Sequence, residues 1–244
     1  MKKHQLTIFL TIVFILFLFI DPVYAGPGGT VAKALFKTWW GKALLTLLTI
    51  IFLPLIFYIR TIEFITVRKA KKQLAKLSLI NKDFSWLNIE KNVSNVFTRV
   101  YLAWSNENMK EVSEYVNHWY WQNQQLVHLD KWKKENLYNV CKLESISSIK
   151  PLYIEISNNK TFEGSKIAFS ITANIEDYLI NRDTKKVVQG KKGFDDETKI
   201  WIMEYTDGTW LLDDIRNDEF SLSFAKMENV VPSLEDKRLI SNHN

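Results

Sequence analysis

The chain has 244 residues, 32 Lys and Arg against 27 Asp and Glu, and a formal charge of +5. That length makes one medium domain plus an anchor the size expectation. A single cysteine, Cys141, excludes an internal disulfide and any multi-cysteine zinc site, while nine Trp, nine Tyr and fifteen Phe exclude a disordered tail protein.

Residues 1–25 open with Lys2, Lys3 and His4, run apolar from Leu6 to Ile20, and end in Val23-Tyr24-Ala25. Those are the three regions of a secretory signal peptide, and the same segment left uncleaved would be a first membrane helix. Residues 26–42, beginning Gly26-Pro27-Gly28-Gly29, then form a short extracytoplasmic segment. Residues 43–59, ALLTLLTIIFLPLIFYI, carry no charge. Seventeen residues at about 1.5 Å each approach a bilayer core of ~30 Å, which predicts a transmembrane helix. Trp39, Trp40 and Tyr58 stand at the two ends, where amphipathic rings favour the headgroup level. Pro54 is tolerated in such a helix, and the absence of charge argues against a buried core helix.

Charge on either side orients the span. Lys33, Lys37 and Lys42 precede it; Arg60, Arg68, Lys69, Lys71, Lys72 and Lys76 follow it against Glu63 alone. The larger basic excess belongs inside. The expected location is therefore an inner or plasma membrane, single-pass, with the C-terminal domain cytoplasmic. Residues 60–87 read as a basic amphipathic helix and a linker. Val67, Ala70, Leu74 and Leu77 recur at helical spacing, and Arg68, Lys69, Lys71, Lys72 and Lys76 are candidate contacts to anionic headgroups. A solvated stalk whose charges only fix topology is the alternative. Residues 78–85 form the linker.

From Asn92 a helical stripe runs through Val93, Val96, Phe97, Val100, Tyr101 and Trp104. A second stripe, Val112, Tyr115, Val116, Trp119 and Tyr120, follows the polar turn at 105–108. A third helix is expected over 122–138. The period then changes to two: Ile167, Phe169, Ile171, Ala173 and Ile175 alternate with polar residues, an earlier strand holds Ile154 and Ile156, and 199–205 forms another. Asp207-Gly208 is a hairpin turn, with 210–215 as the returning strand. Residues 216–244 read as a tail, polar apart from Phe220, Leu222 and Phe224, that is frayed or only locally docked. Helices followed by an antiparallel sheet give an α+β class with helices packed on one face.

Residues 88–215 resemble the Tim-forty-four-like domain, a cone-shaped member of the nuclear-transport-factor-two-like superfamily. The resemblance rests on Ala103-Trp104 before a polar turn and helix, Asn139 at the start of the strands, and Asp177-Tyr178 ahead of the Gly190 loop. Glu197 four residues before Trp201, and WLLDDI at 210–215, complete it. It implies a curved sheet behind the anchor and a non-enzymatic role. The mitochondrial family member tethers a chaperone motor to an import channel and contacts acidic lipid.

The residues themselves offer little for catalysis. His118 lies at a stripe boundary, His128 beside Asp130 in a polar helix, Cys141 has no adjacent histidine, and Asp177 reads as an outward strand-end residue. Metal-protease, phosphate-loop, dinucleotide and serine-elbow motifs are missing. No cofactor or metal is expected. Trp104, Tyr115, Trp201, Tyr205 and Trp210 are either pocket or core aromatics. Nucleic acid is not expected, since the basic residues cluster beside the span. The expected function is a membrane-anchored, non-enzymatic tether or scaffold in protein transport, binding unidentified protein partners and anionic lipid, with a homo-oligomer left open. The alternatives are a type IV secretion component of the VirB-eight type, with its cone outside the cytoplasm, and a small-molecule-binding or enzymatic cone.

Overall fold

The computed structural model describes residues 37–232. The expected leader, 1–25, most of the 26–42 segment and the end of the tail lie outside the described residues. The chain divides into two compact units at Thr61 and Ile62. One helix, α1 (Trp39–Leu77), contributes to both.

In the first unit α1 exposes nearly every large apolar side chain, including Leu47, Ile51, Phe52, Leu55 and Phe57. Its most apolar window has a mean hydropathy of 2.2 and is 6% buried, so this helix is long and apolar enough to cross a membrane. Thr46 and Thr49 return their hydroxyls to the Lys42 and Leu45 carbonyls at 2.8 and 2.9 Å, leaving no free polar group on those side chains. Pro54 sits within the helix without ending it.

In the second unit the same helix becomes part of a folded domain. Ala70, Leu74 and Leu77 are fully buried in the main core. This corrects the expected use of the amphipathic stripe. Its apolar side is consumed by the protein, so only the opposite face is left for lipid. Ile62 and Val67 join a second, smaller cluster with Leu152, Ala168, Ile200 and Ala225. Lys150 pairs with Glu63 at 2.6 Å, and Thr66 donates to the Ala225 carbonyl at 2.9 Å.

The expected linker is also docked. Residues Lys82–Phe84 form a short 3-10 turn, and Phe84 is completely buried with ring centroids 5.0, 5.3 and 5.4 Å from Phe162, Tyr205 and Trp210. Tyr205 donates its hydroxyl to Asp83 at 2.6 Å, and the Trp210 indole donates to the Asp83 carbonyl at 3.2 Å. Ser85 then caps α2 (Trp86–Ser105) by accepting from the Asn88 amide. Ile89, Val93, Val96, Phe97 and Val100 form the buried stripe of α2.

The second helical stripe does not form one helix. Met109–Val112 is a 3-10 turn, and Val116 makes an isolated parallel bridge to Leu212. Backbone bonds from Asn117 to Leu212 and from Leu212 to Tyr115 hold this segment extended. Helix resumes as α3 (His118–Asn123), continues through a π turn (Gln124–Leu129), and ends as α4 (Asp130–Lys134). The expected third helix thus stops short of Tyr138, which is already in a strand.

Five antiparallel strands make one curved sheet: β1 (Leu137–Glu155), β2 (Lys166–Asn181), β3 (Val187–Gly190), β4 (Asp195–Thr206) and β5 (Thr209–Asn217). The path is β1-β2-β4-β5, with β3 paired to the far end of β2. Irregularities after Leu143, Ile146 and Pro151 let the long β1 bend along β2. At the β4–β5 hairpin, Asp207 and Gly208 both have positive φ, 50° and 77°, as a two-residue primed turn requires. The described part of the tail, to residue 232, is locally docked. Helix α5 (Ser221–Lys226) follows β5, and Val230 exchanges backbone bonds with Ile154 and Ile156 at 2.9 and 2.8 Å.

Candidate functional site

On β2, Ile167, Phe169, Ile171, Ala173 and Ile175 all point into the helix-covered core. Alternation places Asp177 on that same face, two residues beyond Ile175. It lies inside the strand, paired with Cys141 of β1, and not at an outward turn. Burial, foremost, pushes its carboxyl above the usual range; Glu197 adds to this, while Asn139 opposes it with a hydrogen bond. Around Asp177 the core grows polar. Lys199 and Glu197 of β4 pair at 3.5 Å. The Tyr101 hydroxyl and the Cys141 thiol are pushed up, mainly by burial and further by nearby carboxylates including Asp177.

Asp177 opens into a cleft of about 300 Å³. Trp104 reaches it from the end of α2, Gln124, His128 and Leu129 from the π turn, and Trp132 from α4. Asn139 comes from β1, and Gln189 and Gly190 from β3. The π turn matters here because an extra residue per turn re-aims the side chains that follow it, and such turns recur at functional sites. His128 therefore faces the cleft with its ring 5.6 Å from Trp132, while Asp130 instead accepts from Gln125 at 2.8 Å. Gly190, at φ 82°, lets β3 approach β2 closely; a Cβ there would sit 3.0 Å from the Asp177 carbonyl and the Tyr178 Cα.

The structure separates the other expected site residues. Of the five aromatics only Trp104 lines the cleft. Trp201 is buried against Phe97 at 4.5 Å, Tyr205 and Trp210 are buried with Phe84, and Tyr115 lies under Arg99 at 4.5 Å. Arg68, Lys69, Lys72 and Lys76 are exposed on α1, whereas Lys71 is half-buried with its ammonium 4.0 Å from the centre of the Trp86 ring. His118 is exposed and pairs with Gln122. Among the described residues no cluster of three or more His, Cys, Asp or Glu could hold a metal ion.

A second hollow, about 350 Å³, lies against Trp119, Tyr153, Lys166, Asp213 and Phe224. Its charges already satisfy one another. Lys166 reaches Asp213 at 2.7 Å and Glu204 at 3.6 Å, and the Asn117 amide donates to the same two carboxylates. Burial alone would raise the Asp213 carboxyl, yet Lys166 and Asn117 outweigh it and hold the group below its usual range. This network fastens the extended segment before α3 to β5.

No family profile and no curated protein matches the chain. Among solved structures it is similar to the intermembrane-space region of the chloroplast protein ARC6, at 6% identity and a TM-score of 0.37, over 51% of this chain and 92% of that one.

Proposed function

We propose that the chain is a membrane-anchored tether whose cone-shaped domain, of the Tim-forty-four-like kind, holds a protein partner at the cytoplasmic face of the membrane. One observation carries this reading. The apolar span and the first core helix of the domain are the same helix, α1, with Leu47 to Phe57 exposed on one part and Ala70, Leu74 and Leu77 buried on the other. An exposed apolar span followed in the chain by a folded domain is the arrangement an anchored holder requires. Surface side chains supply the contact chemistry: Leu87, Leu102, Trp119 and Leu126 are each more than half exposed. Anionic lipid is a secondary contact, made through Arg68 and Lys69.

The test is photocrosslinking in native membranes with a photoreactive residue at each of those four positions. A discrete adduct from one or more positions, lost when the span is replaced by a soluble leader, is the expected result. Absence of adducts from all four would end the tether reading. The cleft at Asp177 favours a second reading, a small-molecule-binding domain, because a half-buried carboxylate beside open aromatic surface is what such a site requires.

A further inference from the structure

The cleft has a definite chemical polarity. Trp104 and Trp132 line it with aromatic surface, His128 adds a third ring, and Asp177 is the one carboxylate among its lining residues. Neither Lys nor Arg is among them. Lys199, the cation acting on Asp177, is already paired with Glu197. The charge field in the lining is therefore anionic, and aromatic rings stand beside it. Aromatic rings attract an organic cation, most strongly when it is partly desolvated. An anion would meet Asp177 and Glu197 with no compensating charge in the lining.

We infer that the cleft bounded by Trp104, Trp132, His128 and Asp177 binds a small organic ammonium ion, the rings lying against its alkyl surface and Asp177 taking its charge. A volume of about 300 Å³ suits a small amine and lies at the lower end for ligand pockets. The free amine is favoured over a phospholipid headgroup, since the phosphate beside a headgroup ammonium would lie against the same carboxylates. The site is independent of the tether reading.

The test is calorimetric titration of the full chain in nonionic maltoside micelles with choline, n-butylammonium, phosphocholine, and the uncharged choline analogue 3,3-dimethyl-1-butanol. Saturable choline or butylammonium binding, with a dissociation constant of about 1 mM or below, is expected. Asp177→Asn should weaken it at least tenfold or so without lowering the melting temperature. Trp132→Leu should weaken it severalfold, and it decides the matter if Asp177→Asn fails to fold. The inference is overturned by no saturable binding of either ammonium ion, by equal binding of the uncharged analogue or of phosphocholine, or by unchanged binding in a folded Asp177→Asn protein.

Discussion

Two carboxylates in this domain answer pH in opposite directions. Asp177 has a folded-state pKa raised chiefly by burial, so its stabilising share is complete below the unfolded pKa and is lost as pH rises through the folded one. Asp213 has a depressed pKa, because Lys166 and Asn117 outweigh its burial; its share is present above the unfolded pKa and disappears as pH falls through the folded one. At pH 7, Asp177→Asn should therefore raise the melting temperature and Asp213→Asn should lower it, each kcal/mol counting for roughly 2–4 °C. Both differences should shrink towards pH 3. Thermal unfolding of the two variants at pH 7 and pH 3 checks the signs, and equal signs at neutral pH would refute the assignment. Phe84 gives a separate test. A fully buried ring among three aromatic neighbours should cost about 3–5 kcal/mol on Phe84→Ala, whereas a linker residue would cost almost nothing. Denaturant unfolding distinguishes these.

Legibility in the sequence followed regularity of the backbone. Strand β2 was readable because Ile167 to Ile175 keep a strict period of two, and the same parity, carried one step further, puts Asp177 on the inner face. The first part of β1 was hidden because its irregularities after Leu143 and Ile146 break the alternation on which a strand is recognised. The helical stripe at Val112 to Tyr120 was real as apolar content but wrong as a helix, since β5 recruits the backbone at Tyr115 and Asn117. The cleft was legible only in pieces: Trp104, His128 and Trp132 stand in separate segments, and nothing local announces the π turn that re-aims His128. Helix α1 carries its own prediction. In the sequence Arg68 and Lys69 follow the apolar span more closely than Lys72 and Lys76 do, and attraction to a charged surface falls off within a screening length of ~8 Å. Reconstituted in vesicles of neutral or anionic lipid, the full chain with Arg68→Ala and Lys69→Ala should lose most of its preference for anionic lipid, and Lys72→Ala with Lys76→Ala should lose little. Equal losses from both pairs would refute a contact confined to Arg68 and Lys69. Leu74→Ala should instead destabilise the domain by about 2–5 kcal/mol, because it empties a core position.

At the scale of the whole chain, the side of the membrane on which the domain lies decides between a cytoplasmic tether and a secretion component of the VirB-eight type. The charge difference across α1, with Arg60, Arg68 and Lys69 on the domain side of the span, supports the cytoplasmic placement proposed above. A reporter fused after Asn244 should accordingly be active as a cytoplasmic fluorescent protein and inactive as alkaline phosphatase. Exchanging the flanks supplies the internal control: Arg60→Glu, Arg68→Glu and Lys69→Glu remove the basic excess nearest the span, and part of the population should then invert. Strong phosphatase activity from the unaltered chain would place the domain outside, and the cytoplasmic tether would give way to the rival.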